Sequence, residues 1–228
     1  MNTNPFFSIV MATYNRSHIL NRAINSVIEQ KFKDWELIIV DDGSTDNTLE
    51  VLKGIEINPK VKLLKQLHKG QYSARNAGIK IARGKYVTFI DSDDEYKPEH
   101  LLTRAEYLKK NPETDALHGG IEVIGDPFVV DVTDLSKFIH AADCSLCGTI
   151  IVRRVLLQKI GGFSTEIIYG GDFMLIEKLK ESKASVKRIE IPTYRHYRTE
   201  PNSITRIFKE GGMIALKNFL YQNQEKPN

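Results

Sequence analysis

From Phe7 to Asp91, short runs of aliphatic and β-branched residues alternate with stretches of helical periodicity. Phe7 to Thr13 and Glu36 to Asp41 read as strands, and Ile19, Ala23, Ile24, Val27 and Ile28 between them fall on one helical face. A second unit follows, with helix from Thr45 to Ile57, strand from Val61 to Gln66, helix from Tyr72 to Ala82, and strand from Tyr86 to Ile90 ending at Asp91. Parallel strands need crossovers, and right-handed crossovers cover both sides of a sheet. The pattern therefore predicts an α/β fold with a mostly parallel central sheet and helices on both faces. Ligands in such sheets bind beyond the carboxyl ends of the strands, which directs attention to Thr13, Asp41 and Asp91.

The alternation breaks down beyond Pro98. A helix from Glu99 to Lys110 stops at Asn111-Pro112, and the residues from Asp115 to Val132 mix strand-like runs with Gly119-Gly120 and Asp126-Pro127 turns. Asp134 to Ala141 and Arg154 to Lys159 read as short helices, Asp172 to Lys183 as a helix and Val186 to Ile191 as a strand. The end from Ile204 to about Tyr221 is amphipathic, with Ile204, Ile207, Phe208 and Leu216 apolar. With no repeat or linker in view, the chain reads as one domain over 1–203, its nucleotide-type half at 1–97 and a less regular half at 98–203, then a C-terminal helix and tail at 204–228.

Composition narrows the function. The 228 residues carry 32 Lys+Arg against 29 Asp+Glu, interspersed rather than gathered into a basic stripe, which argues against nucleic acid as a partner. No apolar run exceeds four residues, far short of the ~18 of a membrane span, and the polar start lacks signal-peptide character. A cytoplasmic protein is expected. Cys144 and Cys147 form a lone C-x-x-C that cannot complete a zinc site by itself and reads as two reduced thiols near a pocket wall.

The candidate chemistry sits at strand ends. The chain has no glycine before Gly43 and no G-x-x-x-x-G-K-[ST], which removes a dinucleotide turn of the GxGxxG kind and a P-loop. The first turn instead reads Thr13-Tyr14-Asn15-Arg16, an aromatic ring and polar groups suited to stacking a base, or a Tyr packed on the next helix with Asn15 as its cap. After the second strand comes Asp41-Asp42-Gly43-Ser44-Thr45-Asp46, where one Asp suffices to cap a helix and the other has room for a ligand role. The third edge, Asp91-Ser92-Asp93-Asp94, crowds three carboxylates whose repulsion a hard divalent cation would relieve. Mg2+ or Mn2+ needs only one or two of them when phosphates and waters complete its shell.

Together with Ala74-Arg75-Asn76-Ala77-Gly78, Arg153-Arg154 leading to Gly161-Gly162-Phe163, and Gly171-Asp172, these segments resemble the GT-A-fold glycosyltransferases of family 2 from about Phe7 to Ser203. The resemblance implies an inverting, metal-dependent transfer from a nucleotide sugar, most often a UDP-sugar, to a saccharide or lipid-linked acceptor in surface polysaccharide or glycoconjugate synthesis. It implies that Tyr14 stacks on the base beside Thr13 and Arg16, that Asp42 accepts a ring N–H, and that Arg75, Asp91 and Ser92 line the nucleotide site. By the same resemblance Asp93 holds Mn2+ or Mg2+, with Asp91 and His196 as further ligand candidates and Glu200 as a rival of His196. Asp172 is the implied general base, at an ordinary carboxylate pKa of about 3.9. Many members have Glu-Asp where this chain has Gly171-Asp172, and the Gln-x-x-Arg-Trp motif of processive synthases is absent, which implies transfer of one sugar. Two rival readings are a nucleotidyltransferase and an inactive sugar-nucleotide-binding protein. The cations of the amphipathic end, Lys209 and Lys217, allow peripheral contact with the inner face of a membrane, although packing on the domain is the plainer expectation.

Overall fold

The computed structural model describes residues 4–222 apart from 56, 135, 168 and 200–203. In chain order the elements of the first half are β1 (Phe7–Thr13), α1 (Leu20–Ile28), β2 (Trp35–Asp41), α2 (Thr48–Lys53), β3 (Val61–Lys65), α3 (Gln71–Ile81) and β4 (Tyr86–Phe89). Then follow β5 (Glu95–Tyr96), α4 (His100–Lys110), β6 (Ala116–His118), β7 (Ile121–Gly125), β8 (Phe128–Val130), β9 (Phe138–His140) and β10 (Ile151–Arg153). The chain continues through α5 (Arg154–Lys159), α6 (Gly171–Glu181), β11 (Val186–Arg188), β12 (Tyr194–Arg198) and α7 (Ile204–Gln222).

Seven strands make the central sheet in the order β11-β6-β10-β4-β1-β2-β3, with only β10 antiparallel to its neighbours. Period-2 alternation along β1 and β2 explains why both faces are covered. Phe7, Ile9, Met11, Leu37 and Ile39 pack with Leu20, Ile24 and Val27 of α1 and Leu101 of α4. Val10, Ile38 and Val40 point the other way, toward Ala74 and Ile79 of α3, Leu157 of α5 and Leu175 of α6. The strand order reverses direction between β1 and β4, so a crevice opens where Thr13 and Asp91 leave the sheet.

A second sheet, β5-β12-β7, straps the second half to the segment following β4. It was not expected, because Tyr194 to Arg198 carries no apolar alternation and is held by pairing with Ile121–Gly125 and Glu95–Tyr96. Three other expectations are corrected. Asp134 to Ala141 is not a helix: Asp131 and Asp134 accept from the backbone and hydroxyls of Thr133 and Ser136 in successive turns, and Phe138–His140 then pairs with β8. The helix expected from Thr45 starts only at Thr48, since Asn15 draws the Thr45 and Asp46 N–H groups into a loop. The strand expected from Val186 to Ile191 ends at Arg188, where pairing with β6 stops. In α7, which kinks at Gly212, Phe208 is buried and stacks on Tyr169 with ring centroids 6.3 Å apart. The side chains of Ile204, Leu216 and Lys217 lie outside the described ones.

Candidate active site

Three strand ends and one helix start supply the site. At the β1 end Thr13 is buried with its hydroxyl unpartnered, and Tyr14 stacks on His68 with ring centroids 4.0 Å apart and planes at 22°. The Arg16 N–H is fixed to Thr48 Oγ1 at 2.9 Å. Asp42, buried just past β2, is fully engaged: its carboxylate accepts from Gln66 Nε2 at 2.6 Å and from the N–H groups of Lys69 and Gly70 at 2.9 and 2.8 Å. His68 Nδ1 stands 2.8 Å from its Oδ2. Sequence reasoning missed His68, because nothing marks a loop histidine as the partner of two residues on other strand ends.

The β4 end carries the acidic turn. Arg75, buried on α3, donates from Nη2 to Asp91 Oδ1 at 2.6 Å, and its Nη1 lies 3.8 Å from Asp172 Oδ1. One guanidinium thus bridges two carboxylates far apart in the chain, Asp91 and Asp172. Ser92 is buried beside them. The Asp93 carboxyl is pushed up to about 7 by burial and by the charges of Asp94 and Asp91, with Arg16 and His196 pulling it down. Asp94 has no exposed surface and accepts from Tyr194 Oη at 2.6 Å, His196 Nδ1 at 2.9 Å and the Tyr197 N–H at 2.8 Å. Burial lowers the His196 pKa, but the Asp94 contact outweighs it and leaves the imidazole raised. With Nδ1 turned to Asp94, Nε2 is the nitrogen left for a ligand. Glu200, the rival of His196, lies outside the described residues.

Among the described residues no three His, Cys, Asp or Glu side chains converge into a metal-binding group. The donor set nevertheless fits a cation whose shell the diphosphate would complete: Asp91 keeps Oδ2 while Arg75 takes Oδ1, and the raised Asp93 pKa marks carboxylates crowded without sufficient neutralisation.

Asp172 opens α6. Its Oδ2 accepts the Cys147 N–H at 2.9 Å, while its Oδ1 is buried without a hydrogen bond. Burial pushes the carboxyl up to about 6, Arg75 opposes this and Asp91 adds to it, so the ordinary pKa expected from sequence does not hold. The Gly171 position is explained by Tyr72: a Cβ there would lie 2.4 Å from the Tyr72 ring, whose hydroxyl accepts the Gly171 N–H at 2.9 Å. A glutamate before Asp172 would have to displace that ring. Cys144 and Cys147 are both free; the first lines a cavity and the second contributes its backbone N–H to Asp172, a role no thiol pattern announces.

That cavity, of about 490 Å³, is lined by Arg75, Asp91, Asp172 and His196 together with residues of the second half such as Val129, Ile139, Leu146 and Phe173. Tyr14 and Asp42 do not line it.

Comparison with known proteins finds glycosyltransferases. The family model described as glycosyl transferase family 2 matches residues 8–160, well over half of the chain. A UDP-Glc:alpha-D-GlcNAc-diphosphoundecaprenol beta-1,3-glucosyltransferase, WfgD of Escherichia coli, is 31% identical over 191 residues, spanning 78% of this chain and 71% of its own. An uncharacterized glycosyltransferase of Nostoc is 39% identical over 168 residues, 67% of this chain, and the match spans about half (52%) of that relative's length. In fold, the chain is similar to Staphylococcus aureus TarS in complex with UDP-GlcNAc (TM-score 0.70, 22% identity, 94% of this chain and 71% of that one). It is also similar to a Pyrobaculum calidifontis mannosyltransferase in complex with GDP-Man and Mn2+ (TM-score 0.72, 18% identity, 99% and 67%).

Proposed function

The chain belongs to glycosyl transferase family 2, and from that premise we propose that it moves one sugar from a UDP-sugar to an acceptor hydroxyl, with inversion and with a divalent cation, in surface polysaccharide or glycoconjugate synthesis. The observation that carries this reading is Asp172, a carboxylate at a helix start, anchored through one oxygen and bordering the cavity beside Arg75 and Asp91. Its pKa of about 6 suits a base that must be ionised yet able to take a proton near neutrality. The acceptor hydroxyl would give its proton to Asp172 as its oxygen attacks the anomeric carbon, and the bond to the diphosphate breaks on the opposite face in a single displacement. Arg75 keeps Asp172 and Asp91 in register and offers positive charge to the departing group. A cation held by Asp93 and Asp91, with His196 within reach, would add charge neutralisation of the diphosphate. In this reading Tyr14 and Asp42 meet the base and Thr13, Arg16 and Ser92 border the nucleotide. The UDP-Glc and GlcNAc-diphosphoundecaprenol in the name of the E. coli relative support a UDP-sugar and a lipid-linked acceptor, and the UDP-GlcNAc complex of TarS supports the UDP-sugar. No helix among the described residues is long and apolar enough to cross a membrane. Peripheral contact at the membrane's inner face would bring such an acceptor to the site.

Asp172→Asn tests the assignment, since Asn caps a helix about as well as Asp but accepts no proton. Turnover is expected to fall by at least ~10²-fold while UDP affinity and melting temperature hold. The wild-type rate should rise with pH along a limb centred at about 6, and the variant's residual rate should lack that limb. Near-normal turnover, or a product of retained anomeric configuration by NMR, would refute the base or the mechanism.

A further inference from the structure

The cavity lining holds a polar pair outside the catalytic set. His118 at the end of β6 and Ser145 are both half-buried, border the cavity, and sit with Nδ1 and Oγ 3.0 Å apart. Burial, aided by Arg188 and Lys180, pushes the His118 imidazole down to about 4, so it is neutral at physiological pH and offers one donor and one acceptor nitrogen. Among the described residues the cavity lining carries four cations, Arg75, Lys180, Arg188 and Arg198, against five carboxylates, Asp91, Asp131, Asp143, Asp172 and Glu177. Arg188 donates to Glu190 Oε1 and to the carbonyls of Ala142 and Asp143, and Lys180 pairs with Glu177 at 2.7 Å. The same lining offers apolar side chains, among them Val129, Ile139, Leu146 and Phe173. A phosphate or uronate here would meet more carboxylates than cations, and a wholly apolar ligand would leave the His118–Ser145 pair without its exchange of hydrogen bonds with solvent.

We propose that this cavity holds the acceptor as a neutral pyranose ring, its C–H face on the Val129, Ile139 and Leu146 wall and a non-reacting hydroxyl or acetamido group hydrogen-bonded to the His118–Ser145 pair. The proposal rests on the glycosyltransfer reading and specifies the acceptor class of the same site. His118 and Ser145 determine specificity and take no part in bond making, since the proton leaves to Asp172. The volume of about 490 Å³ suits a sugar unit and its linkage.

The test uses phenyl β-glycosides of glucose, N-acetylglucosamine and glucuronic acid with the UDP-saturated protein, followed by saturation-transfer NMR and by sugar transfer from UDP-sugars. The two neutral glycosides are expected to bind and the glucuronide to bind at least tenfold more weakly. Ser145→Ala and His118→Gln should each raise the acceptor KM about tenfold with kcat and UDP affinity unchanged, and the double variant should be little worse than the worse single one, because the two groups act as a unit. Absence of saturation transfer from both neutral glycosides, preference for the glucuronide, or a wild-type acceptor KM in a folded Ser145→Ala variant would overturn the proposal. Ser145-dependent binding of neutral glycosides in a protein that neither hydrolyses nor transfers from any UDP-sugar would uphold the cavity's assignment and refute glycosyltransfer instead.

Discussion

At the scale of single residues, the imidazole of His68 occupies the place that the proposed function gives to a nucleobase. It stacks on Tyr14 and meets the Asp42 carboxylate, the same two contacts an aromatic ring with an N–H would make. If the base takes this position, His68 competes with it, and the apparent affinity is reduced by the fraction of time the ring is in place. His68→Ala is therefore expected to tighten UDP binding several-fold, read by calorimetry; unchanged or weaker binding would place the base on the other face of Tyr14 or elsewhere. Asp42 was legible as a spare carboxylate at a strand end. Its saturation by Gln66, Lys69 and Gly70 was not, because those donors come from a loop whose path depends on β3 and α3 both packing on the sheet.

At the scale of elements, β12 is the least legible strand and the one that completes the acidic turn. Its ties are Tyr194 and His196 to Asp94, one hundred residues or more earlier, and Tyr194 passes so close to Gly148 that a Cβ there would lie 2.0 Å from the phenol. Asp94 was visible as the fourth residue of Asp91-Ser92-Asp93-Asp94 and passed over as a site residue, although it positions His196. Asp94→Asn replaces an acceptor-only group that receives three donors by one that must point an NH2 at some of them. Breaking such a buried charged contact costs on the order of 3–5 kcal/mol, which lowers the melting temperature. With Asp94 neutralised, burial acts on His196 against the charges of Asp91 and Asp93 alone, so its imidazole pKa should drop, as the ring-proton NMR titration would show. A His196 titration unmoved in Asp94→Asn would mean that Asp94 does not hold the ring.

At the scale of the whole molecule, the site is assembled at a cost in stability. Asp93 is at about 7 in the fold against the 3.8 of the free side chain, so the cost of ionising it is absent below the unfolded value, grows between the two and is complete above about pH 7. Asp93→Asn should thus stabilise the cation-free protein at pH 8, by about 1–2 kcal/mol after solvent screening or several degrees of melting temperature, with the gain vanishing toward pH 4. Added Mn2+ with UDP should stabilise the wild type and not the variant; a variant less stable at pH 8 would show that Asp93 carries no such burden. Sequence alone set the layers, since the apolar runs of Phe7–Thr13 and Trp35–Asp41 and the stripe on Leu20–Ile28 are local signals that survive in one dimension. It also marked Thr13, Asp41 and Asp91, because a parallel sheet delivers every strand end to one edge. Tertiary structure alone decided which of those groups meet: Arg75 between Asp91 and Asp172, the Cys147 N–H on Asp172, His68 on Tyr14 and Ser145 on His118. A hydrogen bond between residues far apart in the chain imposes no period on either segment, so it leaves no trace until the fold has closed around it.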